Sequence, residues 1–132
     1  MVTITAQNIL DENNYTITDI SLVNAESLID NAINYVNLRA GLSMSAMSGT
    51  AGSKTASLTG NQSVIVKLLS TLMVRAYVDR GPNTTVGGLS VTSIINDPQY
   101  ALYSTMIEAG ILSLTGTSTT GTTGRAFLVT RV

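Results

Sequence analysis

The chain has 132 residues, 44% of them apolar but only 11% charged, with a net charge of −1 and neither cysteine nor histidine. That length suits one domain whose core needs no disulfide or structural metal, and the lack of Cys removes disulfides, thiol nucleophiles and Cys-based zinc sites. Without imidazole the commonest general base and metal ligand are missing, and seven scattered Lys and Arg leave no electrostatic footprint for gripping nucleic acid or anionic lipid; a non-enzymatic protein without cofactor or metal is expected.

Ser and Thr make up a quarter of the chain, beside ten Asn. An uncharged polar exterior of this kind resembles a contact surface more than that of a freely diffusing enzyme. The start, "MVTITAQNILDENNYTITDIS", lacks the basic and apolar blocks of a signal peptide, and the longest apolar stretch, "VIVKLLSTLMVRAYV", carries Lys67 and Arg75 and is too short for a bilayer. A protein without membrane association, made in a cytoplasm, is expected.

Residues 1–20 are polar with short alternations, "VTIT" and "YTITDI", and predict an extended arm or short strand. From Val23 to Ala40 the pattern turns helical, with Ala25, Leu28, Ile29, Ala32, Ile33, Val36 and Ala40 on one face and Ser27, Asp30, Asn31, Asn34 and Asn37 opposite. Asn24 is the expected N-cap and Gly41 the left-handed residue after the helix. Residues 42–60 are small and aperiodic, and predict a long mobile loop. Within it "SGTAGSKT" superficially resembles a phosphate-binding loop, but Ser48 and Ser53 stand where that motif requires glycine and a helix precedes it.

A second helix is predicted over 62–80, with Ile65, Leu68, Leu69, Leu72, Met73, Ala76 and Tyr77 on its main face and Val74 and Val78 behind. Such a helix is either central to the core or shared with a neighbouring subunit, and the second alternative makes Val74 and Val78 candidate contacts. Gly81 and Pro82 end it, "LSVTSI" alternates as a short strand would, and Asp97 with Pro98 opens a third helix. Tyr100, Tyr103, Met106, Ile107, Ile111 and Leu114 form the expected inner face, and Gly110 among them allows close approach of another backbone. After Gly116 a flexible Gly/Thr/Ser spacer leads to "RAFLVTRV", a terminal strand in which Arg125, Phe127, Val129 and Arg131 alternate with Ala126, Leu128, Thr130 and Val132. Arg125, Phe127, Leu128, Val129 and Arg131 are therefore candidate partner contacts. This strand either folds back onto residues 2–5 or 89–94, or augments the sheet of a partner.

The expected architecture is mainly α: a small three-helix bundle over 21–115 with a short β segment and a mobile loop at 42–60, an extended arm at 1–20, and a spacer with a C-terminal strand arm at 116–132. Two acidic positions invite a site. Glu26 and Asp30 lie one turn apart, which reads more simply as solvated acids near a helix start. Asp79 and Arg80 beside the 81–88 loop could line a ligand corner in a small cytosolic binding domain, or simply form a helix-ending ion pair.

Three segments carry a family resemblance: "LVNAESLIDNAINYVNLRAG", "VKLLSTLMVRAYVDRGPN" and "GGLSVTSIINDPQYALYSTMI". Their order, over roughly residues 20–115, resembles the phage head-tail connector, or adaptor, family. The long loop and the terminal strand depart from it. The resemblance implies a structural subunit of a homo-oligomeric ring, a dodecamer, in the neck of a tailed virion. It would contact the portal on one face and the next neck or tail protein on the other, with packaged DNA passing through the lumen without sequence-specific binding. A stopper or tail-completion role in the same neck is the nearest alternative.

Overall fold

The computed structural model of the chain describes residues 1–81 and 84–115. Among these the fold is mainly α, with five helices and a two-stranded antiparallel sheet: β1 (Val2–Thr5), α1 (Ala6–Glu12), α2 (Leu22–Ala40), β2 (Thr55–Leu58), α3 (Gly60–Arg80), α4 (Val91–Ile95) and α5 (Ala101–Leu114).

α2 follows the sequence pattern closely. Ala25, Leu28, Ile29, Ala32, Ile33 and Val36 are all buried, and Gly41 ends the helix at φ +68°, returning its N–H to Asn37 O. The cap lies earlier than expected, because Ser21 Oγ accepts the Asn24 N–H at 3.2 Å and so brings Leu22 and Val23 into the first turn. Asn24 is then free to donate from its side chain to Tyr77 Oη on α3, 3.1 Å away. α3 also starts early, at a capping box in which Thr59 Oγ1 accepts the Gln62 N–H and Gln62 Oε1 accepts the Thr59 N–H, at 3.3 and 3.1 Å.

α3 is the central element, touching α1, α2, α4, α5 and β1. Its buried residues run round the helix: Val66, Leu69, Leu72, Met73, Val74 and Ala76, with Ser63 and Ser70. α5 packs along it in the opposite direction, since Tyr103 Oη accepts from Arg75 and Gly110 lies against Ile65. A Cβ on Gly110 would overlap the Ile65 side chain, so the space at this glycine is filled by a side chain of α3 and not by the backbone expected there.

Four expectations are corrected. Residues 1–20 do not form an arm: Ile4, Ala6, Ile9, Leu10 and Ile20 are buried in the common core. The 42–60 segment is ordered by α2, β1 and its own strand β2, which pairs with β1 in the register Val2–Leu58 to Thr5–Thr55. "LSVTSI" is not a strand but the short helix α4, capped by Ser90 and anchored by the buried Ile94. Finally, Met106 faces outward, 51% exposed, rather than into the core.

Candidate assembly surface

The sites singled out in the sequence become structural groups. Glu26 is 2% exposed, and its carboxylate accepts the N–H of Gly52 at 2.8 Å and of Lys54 at 2.9 Å. Asp30 accepts the N–H of Met47 at 2.8 Å, and Asn37 both accepts from Met44 N and donates to Met44 O. Positions 26, 30 and 37 form one stripe on α2 along which the 42–54 segment runs back, so Asp30 and Asn37 of the expected polar face are engaged by it, while Ser27 and Asn34 are exposed as expected. The stretch that resembles a phosphate loop does bind an anion through its backbone, but the anion is the protein's own Glu26. Gly52, at φ +90°, supplies the left-handed backbone this turn needs.

Asp79 does not pair with Arg80 in the structure. Its Oδ2 accepts a hydrogen bond from Tyr100 Oη at 3.0 Å, tying the end of α3 to the turn before α5. Burial, followed by the Asp79 carboxylate, raises the Tyr100 phenol above its ordinary pKa. Arg39 donates to both oxygens of Glu108, at 3.1 and 2.5 Å, and Nη1 also reaches Tyr35 Oη. This cluster borders an open groove of about 640 Å³ between α2, α4 and α5, but Arg39 and Glu108 satisfy each other there. Burial, then the Glu108 charge, raises the Tyr35 phenol, and the hydrogen bond to Glu108 holds Arg39 more firmly protonated. Among the described residues no three His, Cys, Asp or Glu side chains converge as a metal site, and no helix is long and apolar enough to cross a membrane.

Of the contact residues chosen from sequence, Val74 is fully buried and belongs to the core, which corrects its assignment to a partner surface. Val78 is half-buried beside a cleft of about 410 Å³ that Ile17, Ile20 and Tyr77 also line. Arg125, Phe127, Leu128, Val129 and Arg131 lie outside the described residues.

Among the described residues Leu38, Ile17, Val64 and Val23 are exposed as well, but a run of exposed apolar side chains along one helix lies on α5. Leu102, Met106 and Leu112 are 75%, 51% and 40% exposed, and Ala109 is exposed between them. At 100° per residue these four, with Thr105 and Ser113, make one outer face without a charged side chain. The stripe was present in the sequence as i, i+4, i+7 spacing, alongside the inner stripe of Tyr103, Ile107, Ile111 and Leu114. Only the packing reveals which of the two stays open. Comparison with family models, curated proteins and solved structures gives no match for this chain.

Proposed function

We propose that the protein is a structural head-tail connector subunit, copies of which form a ring beneath the portal of a tailed virus and join the DNA-filled head to the tail. The observation that carries this reading is the uncharged apolar outer face of α5, a surface suited to cover by another protein. The resemblance of the three segments at 20–115 to the connector family supports the same conclusion. In this reading α2, α3 and α5 are a three-helix bundle stiffened by the β1–β2 pair, and the outer face of α5 is a subunit contact. The ring, a dodecamer by the family resemblance, meets the portal on one face and the next neck or tail protein on the other. Each copy repeats one weak contact, so closure of the ring rather than the strength of a single contact holds the assembly.

The rival reading, a ligand corner at Asp79 and Arg80, loses support because Asp79 is engaged by Tyr100. Native mass spectrometry over a concentration series, with negative-stain images of the same sample, tests the ring. A closed oligomer of cyclic symmetry is expected, and a chain that is monomeric at every concentration overturns self-assembly. Deleting residues 117–132 is expected to leave helical content intact and weaken incorporation into particles.

A further inference from the structure

Among the described residues β1 is bonded to a partner strand on one side only. Thr55 exchanges both backbone bonds with Ser48, at 2.9 Å each, so it faces Thr5 across the sheet without exchanging bonds with it. Antiparallel alternation then makes Ile4–Ala56 and Val2–Leu58 the bonded pairs. The N–H and C=O of Thr3, and the N–H of Thr5, therefore point away from β2. Thr3 is exposed, and an edge with outward donors and acceptors is a template for another strand.

The chain leaves α5 at the end of the bundle where α3 begins and where the sheet is joined to it. Because α5 runs antiparallel to α3 with Gly110 against Ile65, Leu114 comes level with about residue 61 of α3. That is beside the Thr59 cap, and the preceding Leu58 pairs with Val2. Beyond Thr115, residues 116–124 are Gly, Thr and Ser only. These nine residues reach at most about 30 Å, roughly the width of a domain of this size. A return to the same domain commonly needs only about 2–6 residues, so the stretch is longer than such a return requires and long enough to cross onto a neighbour. The segment that follows, 125–132, alternates as a strand does and carries Phe127, Leu128 and Val129 at its centre.

We propose that residues 125–132 of one copy add a strand to the outer edge of β1 in a neighbouring copy. The inference rests on the ring reading and names its second contact. Such a contact is heterologous, each copy giving its C-terminal segment to the next, and it closes into a ring when the rotation between copies closes.

The chain contains no cysteine, so Thr3→Cys combined in turn with Phe127→Cys, Leu128→Cys or Val129→Cys tests the pairing without background. Oxidising the full-length oligomer is expected to give a ladder of covalent dimers and larger species for at least one combination. Hydrogen exchange at the Thr3 amide is expected to be about tenfold slower in the assembled full chain than in a chain lacking 117–132. A disulfide-closed monomer in place of the ladder would put the strand on its own domain and overturn the proposal. An intact oligomer with no crosslink in any combination and no protection of Thr3 overturns the strand addition and leaves the ring standing. A chain that stays monomeric and uncrosslinked at every concentration overturns both.

Discussion

α3 and α5 have the same peculiarity in sequence, apolar residues on more than one face, and the fold treats them oppositely. α3 is wrapped by four helices and β1, so Val74 on its second face is core, while Val78 is half-buried and Val64, near the start of the helix, stays exposed. α5 packs on α2, α3 and α4 and leaves Leu102, Met106 and Leu112 open. Surplus apolarity on a helix therefore has two meanings, and position in the packing decides between them. The middle of a central helix buries it, whereas a peripheral helix leaves it exposed.

The sharpest way to break this comparison is a charge on each second face. Val74→Asp puts an unpaired carboxylate in the core and is expected to cost more than about 4 kcal/mol, read as loss of the cooperative unfolding transition. The next largest effect is expected at Glu26, whose removal orphans two backbone donors. Glu26→Ala should cost about 3 kcal/mol, and limited proteolysis should then cut within 42–54 while α3 stays protected.

Gly110→Ala tests the seam between the two helices. Helix propensity favours alanine by about 1 kcal/mol, but the new methyl forces Ile65 from its rotamer at a cost of about 1–3 kcal/mol. A net destabilisation is expected in chemical denaturation, with recovery in the Gly110→Ala, Ile65→Ala double variant.

Tyr100→Phe removes the bond to Asp79, and its expected cost is about 1 kcal/mol. It also changes the alkaline limb of stability. The folded-state pKa of Tyr100 is raised above its ordinary value of 10.0, so its contribution is full below that pH. It is lost as pH rises through the folded pKa, because the unfolded chain releases the proton first. The variant should therefore show a shallower loss of stability above pH 10, measured by unfolding at a series of pH values.

Leu102→Asp is expected to change stability least, within about 0.5 kcal/mol, since the side chain is already 75% exposed. Its effect should appear in sedimentation as a shift toward monomer. An oligomer of unchanged size would remove α5 as the contact.

Much of the helical frame was legible in the chain. The apolar stripe of α2, the left-handed Gly41 and the room made by Gly110 are local patterns met in the fold, whereas Asp97 and Pro98 open a short 3-10 turn, Pro98–Tyr100, and α5 itself begins at Ala101. The candidate contacts were less legible, because Val74 and Leu102 look alike until neighbours are placed around them. Glu26 was missed as an anchor since its partners, Gly52 and Lys54, are remote in sequence and offer backbone groups, which leave no mark on side-chain composition.

What the sequence by itself determined is that the three long helices exist, where α2 ends and which apolar face it buries, because 3.6-residue periodicity and capping chemistry act within a few residues. What only the tertiary structure decided are the short elements and the use of each face. "LSVTSI" is a helix because Ile94 finds the core there, and the five-residue α4 is too short for propensity to govern. "VTIT" becomes a paired strand only because 55–58 is brought alongside it, through carboxylates on α2 that hold the intervening chain. In both cases the deciding free energy comes from contacts between residues far apart in sequence, which no local pattern records.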